Sequence, residues 1–344
     1  MAKKKRINLA LQGGGAHGAF TWGVLDRLLL DEDIEIAAIS GASAGALNAA
    51  ALKAGLVEGD RQTARDNLDW LWGQVGAIHD LRLTAWIEAL APSPAIWNMA
   101  LDALRPGMDF AQSMFTPYVY GPMYRNPLQP IAAKFKYEHI CGKVGPELHI
   151  ATTNVRTGKI RVFKDDEITA DVILASSCLP NVFQAIVMED PKTGVTDAFW
   201  DGGYTGNPAL FPLFARHLPD DIVVVNINPI ERPGIPVSPA EIENRVNEIS
   251  FNSSLLRELR AIKFVKDLIA DHKLPEGQKK DVLVHMIADD DIMRQLSVNT
   301  KLTPTPSVLL ALKTAGQDAA ETFLGDHRKD LNVTGTLVLE DMFG

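Results

Sequence analysis

The sequence predicts an α/β fold, a mostly parallel central sheet flanked by helices and carrying a helical, aromatic-rich insert. Three observations predict it. Short apolar runs that suit buried strands, INLALQ (7–12), IEIAAIS (34–40) and DIVVVNINP (221–229), alternate with helical patterns, as strands covered on both faces do. Glycine-rich segments, GGGAHG (13–18) and GASAG (41–45), stand where the first two strands should turn into helices. A chain of 344 residues with 46% hydrophobic content can fill a large core without disulfide or metal staples.

In chain order, MAKKKR (1–6) reads as a basic, solvated tail. After the first strand, AFTWGVLDRLLLDED places Phe20, Val24, Leu25 and Leu28 on one helical face. The second strand leads into a helix of small residues from Ala44 to Gly55, so the chain opens as a βαβα unit. An amphipathic helix is expected from Asp60 to about Ile78. Leu83 to Tyr124 comes next, with Trp86, Trp97, Phe110, Phe115, Tyr118, Tyr120 and Tyr124 but few charges. This insert, about 60–135, suits either a cap at a lipid interface or a second small core. ELHIATTNV and GKIRVFK form a hairpin turning at Arg156-Thr157-Gly158, Thr169 to Ser177 a short helix, and AFWDGG a strand ending in a turn. A further central strand (221–229), an amphipathic helix from Leu255 to His272 and a late strand DVLVHMIAD (281–289) complete the pattern. Thr305-Pro306 opens a last helix that Gly325 should stop. The division expected is a tail (1–6), a catalytic domain (7–213), and a C-terminal α/β extension (214–344) packed on the same globule.

Composition narrows the function classes. A formal charge of −9 argues against nucleic acid as a partner, since phosphate binding needs clustered Lys and Arg. Cys141 and Cys178 are the two cysteines, with no CxxC and no Cys/His pairing, so neither a disulfide framework nor a zinc site is indicated. Asp289-Asp290-Asp291 reads as loop or helix-cap chemistry and not as a metal site. The apolar pattern begins at Ile7, too early for a signal peptide, and the longest uncharged stretches are too short or too rich in Gly and Pro to span a bilayer. A cytoplasmic protein is expected, with peripheral contact at a membrane surface left open. Oligomeric state is not readable.

The chemistry-bearing residues lie at the turns. GASAG places Ser43 between a strand and a helix, where flanking glycines permit a strained elbow and close substrate approach. Taken alone, GxSxG also occurs in tight helix–sheet packing. GGGAHG precedes it, and successive N–H groups at a helix N-terminus form an anion pocket. The same stretch satisfies GxGxxG, so a nucleotide-binding regulatory protein is the rival reading. That rival needs an acid at the end of the second strand, where Ile39, Ser40 and Gly41 stand instead. An ordinary α/β-hydrolase fails on topology, because its nucleophile follows several strands. His17, His79, His139, His149, His217, His272, His285 and His327 include none in a triad motif, and His149 and His285 alternate with apolar strand residues. Asp201 in FWDGGYTGNP is the better base, since an apolar setting raises a carboxyl pKa from its ordinary value near 3.9. A Ser-His-Asp esterase remains the other alternative.

With GGGAHG, GASAG and DGG in order, the sequence resembles the patatin-like phospholipases. ASSCLP (175–180) and GNPAL (206–210) resemble the blocks that flank that family's Asp motif, and the likeness covers about residues 7–213. The resemblance implies a three-layer α/β/α architecture and a lipid ester hydrolase with no cofactor and no metal. Carried over by position, it makes Ser43 the nucleophile, Asp201 the base, and the amides of Gly13, Gly14 and Gly15 the oxyanion donors. The substrate implied is a carboxylic ester of a lipid, cleaved through an acyl-enzyme by a Ser-Asp dyad. The family often carries Arg or Lys where this chain has His17, so weaker positive charge is expected near the anion pocket.

Overall fold

The computed structural model describes residues 4–78, 116–275 and 277–343. Eight strands form one mixed sheet. Its parallel body is β3 (Glu147–Asn154), β2 (Ile34–Gly41), β1 (Lys5–Leu11), β7 (Asp221–Val225) and β8 (Leu283–Ile287), side by side in that order. Antiparallel β4 (Ile160–Lys164), β5 (Ile186–Asp190) and β6 (Val195–Asp201) complete it at β3, which pairs with both β4 and β6, while β5 pairs with β6.

Alternation along the strands feeds two cores. Leu9, Leu11, Ile39, Val223 and Val225 point into the larger one, which is closed by α1 (Ala19–Leu29), α2 (Ala44–Glu58), α3 (Arg61–Gly76) and a long C-terminal helix spanning Pro306–His327. Ala10, Ala38, Ile222 and Val224 point the other way, against Leu255, Leu259 and Ile262 of a helix spanning Pro239–Ala270. The result is helix, sheet, helix: three layers. The intervening short helices are α4 (Gln129–Ala132), α5 (Tyr137–Ile140) and α6 (Ala170–Ser176). Pro239–Ala270 is therefore α7, followed by α8 (Asp290–Arg294), α9 (Val298–Leu302) and α10 (Pro306–His327).

Several boundaries differ from the expectation, each for a local reason. The first strand begins at Lys5, not Ile7, because Lys5 and Arg6 already pair with Ile34 and Glu35 of β2, and the Lys5 amide donates to the Asp33 carbonyl at 2.7 Å. Helix α7 starts well before Leu255, where Ser238 and Glu241 form a capping box with Pro239 at the first position. Helix α10 continues through Gly325 to His327. Strand β5 has no counterpart in the sequence reading. Of the insert, α3 is present and capped by Asp60 with Thr63, whereas Trp86, Trp97, Phe110 and Phe115 lie outside the described residues.

Helices α1 and α10 meet backbone to backbone. A Cβ on Gly316 would stand 2.0 Å from the Phe20 carbonyl oxygen, and one on Gly23 would stand 1.9 Å from that of Lys313. Gly325, on the same helix, has nothing within 4 Å of where its Cβ would be. Gly316→Ala should therefore cost about 1–3 kcal/mol by forcing the helices apart, while Gly325→Ala should gain up to about 1 kcal/mol from helix propensity. Denaturant titration of the two variants checks this; equal effects would show that the two backbones are not in contact.

Candidate active site

Strand β3 offers two edges, and its pairing decides where the site forms. Strand β4 runs along one edge from His149 to Thr153. The other edge is shared, β2 pairing with residues 147–150 and β6 with residues 152–154. Because β2 is parallel to β3 and β6 antiparallel, their C-terminal ends run toward each other. Gly41 ends opposite Ile150 and Asp201 opposite Thr152, so both chains must leave the sheet at Ala151. Ser43 and Asp201 are delivered to one place from distant parts of the chain.

At the end of β2, Ser43 has φ 53° and ψ −125°, a backbone conformation that non-glycine residues rarely adopt. The turn is held from all sides. The Ser43 amide donates to Ser176 Oγ at 3.0 Å, and that hydroxyl donates to the Ala151 carbonyl at 2.7 Å. A Cβ on Gly45 would stand 2.2 Å from the Leu11 carbonyl oxygen, and one on Gly13 would stand 2.5 Å from Ser43 Cβ. These glycines exist because β1, the glycine loop and the elbow touch with no room for a methyl group.

Asp201 is completely buried. Its Oδ1 accepts from the Gly203 amide at 2.7 Å, while Oδ2 is buried without a hydrogen-bond partner among the described residues. Burial pushes its pKa up to about 7, against the opposing pull of the Gly203 N–H and the Ser43 hydroxyl. The hydroxyl faces the carboxylate without closing a hydrogen bond of ordinary length.

The glycine loop rests on a buried network of amides. Gln12 Oε1 accepts from the amides of Ile227 and Asn228 and from Asn228 Nδ2, at 2.9–3.1 Å. Asn228 Nδ2 donates to the Gly13 carbonyl at 2.8 Å, and Asn207 Oδ1 accepts from the Gly13 amide at 2.6 Å. This changes one expectation: the Gly13 N–H is already spent on Asn207 and is not free to meet a substrate oxygen. The Gly14 and Gly15 amides meet no acceptor among the described residues. Gly15, with φ +58°, turns the loop against α9, where a Cβ would stand 2.5 Å from the Lys301 carbonyl oxygen.

His17 is buried, and its Nε2 lies 2.7 Å from Thr300 Oγ1. Desolvation first, then the nearby charges of Lys301 and Arg232, hold its pKa well below the usual imidazole range, so it is neutral. Lys301, which no motif singled out, is the buried cation in this neighbourhood. Among the described histidines none bonds to Ser43 or Asp201; His285 pairs with Asp221 and Thr336 on β8, and His217 with Glu147. His79 lies outside the described residues. Among the described residues no group of three or more His, Cys, Asp or Glu could hold a metal ion.

Two cavities open onto Ser43, sharing Gly15, Leu179 and Leu302 as walls. One, about 100 Å³, is mixed, with Asn181, Glu243, Asn247 and Lys301 set among apolar walls that include Val182 and Phe251. The other, about 30 Å³, is apolar, lined by Leu47, Trp72, Val75, Leu128 and Phe183. The family sequence model for patatin-like phospholipases matches residues 9–214. The chain belongs to the patatin-like phospholipase family. Membership makes lipid acyl hydrolysis the activity class that the family suggests. No curated protein sequence matches the chain. Among solved structures, VipD from Legionella pneumophila is similar at a TM-score of 0.42 and 16% identity, over 94% of this chain and 67% of that one. A likeness of that size carries no weight beside the family match.

Asn207, Ser176, Gln12, Asn228 and Lys301 are the residues around this patatin-like site that motif reading passed over or quoted without a role. Asn207 and Ser176 fall inside GNPAL and ASSCLP, so their signal was present in the sequence; Asn228 and Lys301 lie beyond the matched residues.

The buried Asp201 has a consequence for stability. Its folded pKa, about 7, exceeds its ordinary 3.8, so between those values the folded state holds a proton that the unfolded state releases. Wild-type stability should fall as pH rises across that window. Asp201→Asn has no charge to desolvate, and each pKa unit is worth about 1.4 kcal/mol. The variant should match wild type near pH 4 and exceed it by a few kcal/mol at pH 8. Urea titration at the two pH values measures this, and a pH-independent difference would contradict the burial argument.

Proposed function

We propose that the protein is a serine acyl hydrolase that cleaves carboxylic esters of lipids through a Ser43–Asp201 dyad and an acyl-enzyme. The observation that carries this reading is the buried, unpartnered Asp201 Oδ2 facing a serine on a strained elbow.

In the first half-reaction Ser43 Oγ attacks the ester carbonyl carbon and its proton passes to Asp201 Oδ2. The tetrahedral oxyanion is met by the Gly14 and Gly15 amides, which need no reorganisation because the amide network holds their loop. Collapse of the intermediate breaks the ester C–O bond, and the leaving alkoxide takes the proton from Asp201. Water then attacks the acyl-enzyme, gives its proton to Asp201, and the acid leaves as Ser43 recovers its hydrogen. A carboxylate with the ordinary pKa would be a poor base; one raised to about 7 holds a proton in the intermediate and still leaves about half of the free enzyme ionised at neutral pH. His17, neutral and committed to Thr300, has no part in these transfers.

The smaller, apolar cavity suits the first carbons of an acyl chain, and the larger, mixed one the alcohol side of the ester. Ile242, Val246 and Ile249 form an exposed stripe on α7 beside cavity-lining Glu243 and Asn247. Contact with a lipid surface at this rim would be peripheral, as no helix among the described residues is long and apolar enough to cross a membrane.

Labelling with a fluorophosphonate and hydrolysis of a short-chain ester test the dyad. Ser43→Ala should abolish both. Asp201→Asn should lower kcat by about 10²–10⁴, and His17→Asn and His149→Asn should retain activity. The wild-type kcat/KM should rise with pH through an apparent pKa near 7, the ionisation of Asp201. An active Asp201→Asn alongside a dead, folded histidine variant would replace the dyad with a triad.

A further inference from the structure

The larger of the two cavities at Ser43 contains a charge that the dyad does not use. Lys301 on α9 is 6% exposed, and its ammonium donates to Asn228 Oδ1 at 2.9 Å and Asn247 Oδ1 at 2.8 Å. Both acceptors are neutral. The third N–H meets no hydrogen-bond acceptor among the described residues, no described carboxylate lies within ion-pair distance, and the one further contact is a long cation–π approach to the Phe251 ring at 5.9 Å. Glu248, the acid whose charge acts on it, is already bound by Arg232 and Arg245. Burying an ammonium without a counter-ion costs several kcal/mol. A neutral Gln could serve two amide oxygens without that cost, so hydrogen bonding alone does not account for a lysine.

Its location is specific. The Lys301 carbonyl packs on Gly15, and Asn228, which holds its ammonium, also holds the Gly13 carbonyl. Asn247 and Lys301 line the same cavity as Ser43. With His17 neutral, Lys301 is the buried positive charge lining this cavity. Glu243, exposed, lines that cavity too. From inside outward the walls therefore carry a buried cation and then an exposed carboxylate.

We propose that Lys301, held in place by Asn228 and Asn247, forms a phosphate-binding subsite built by the C-terminal region, and that it holds the headgroup phosphate of a glycerophospholipid while Ser43 attacks an acyl ester. This rests on Ser43 being the nucleophile. In such a lipid the phosphate lies only a few bonds from the ester carbonyls, which fits a subsite in the cavity that Ser43 opens onto. A zwitterionic headgroup carries its amine beyond the phosphate, matching the carboxylate of Glu243 outside the ammonium of Lys301. Burial draws the Lys301 pKa down to about 8, leaving it largely charged at neutral pH.

The test compares wild type, Lys301→Gln and Lys301→Met on phosphatidylcholine and on diacylglycerol with the same acyl chains, both in mixed micelles of a neutral detergent. A hydrogen bond to a charged group is worth about 1.5–3 kcal/mol, so kcat/KM on phosphatidylcholine should fall about 10- to 100-fold in both variants. The loss should appear mainly in KM. Diacylglycerol hydrolysis and the rate of fluorophosphonate labelling should change less than threefold, which also reports that the fold and Ser43 are intact. Inorganic phosphate should inhibit wild type more than Lys301→Gln if the subsite accepts phosphate apart from a lipid; inhibition equal in both counts against it. Equal losses on both lipids would make Lys301 structural and overturn the subsite, as would no loss on either. Failure of wild type to hydrolyse any ester would instead sink the Ser43 reading and the subsite with it.

Discussion

Two strands running head to head along one edge of β3 are the constraint on which the site depends. Strand β4 fills the opposite edge, so β2 and β6 must share what is left, and neither can pass Ala151 without displacing the other. Both chains turn out of the sheet within one residue of that point. Space dictates the residue types just past each turn: Gly202 would place a Cβ 2.1 Å from the Ala151 carbonyl oxygen, and Gly45 crowds Leu11 in the same way. The hydroxyl and the carboxylate thus meet because of strand pairing, with no flexible segment needed to bring them together.

A second constraint fixes the glycine loop against that meeting point. Gln12, Asn207, Asn228 and Asn252 are all buried and satisfy one another, with Asn252 donating to the carbonyls of Asn228 and Pro229 and Gln12 donating to Asn252 Oδ1. In a low-dielectric interior such a network is rigid when complete and costly when one member is lost. It joins the loop after β1 to the segment after β7, so the residues beyond 214 are wired into the site as well as into the sheet through β7 and β8. The family match ends at residue 214, yet the floor of the Gly13 loop does not.

Much of the layer architecture could be read from the sequence, because strand alternation and helix periodicity are local. The βαβα opening, the β3–β4 hairpin and the helix capped by Thr169 arise directly from runs of apolar residues and their punctuation. Helix α7 was shortened in the reading because its first half is polar and half-exposed, although Ser238, Pro239 and Glu241 announce its start. Strand β5, IVMED, carries no clean alternation; it exists because β6 needs a partner on its outer edge. Around the site, the residue types in the motifs were legible, but their hydrogen bonds were not. Nothing in GGGAHG says that the first amide is consumed by Asn207, since that depends on a contact between residues far apart in the chain. Lys301 was invisible for the same reason: KL at 301–302 looks like any helix end until the fold carries it under Gly15.

The groups left unsatisfied around the cavity have a common chemical sense. Ser43 is held in a conformation that costs on the order of 1–3 kcal/mol, Asp201 keeps one buried oxygen without a donor, and the Gly14 and Gly15 amides lack acceptors among the described residues. Each would be relieved by a different part of one ester: its carbonyl carbon for the hydroxyl, the transferred proton for the carboxylate, the oxyanion for the amides. A protein selected for stability alone would replace Asp201 by a neutral residue and let Ser43 relax. Retaining all of these liabilities at one point is what transition-state binding requires, because the groups gain their partners only as the reaction proceeds.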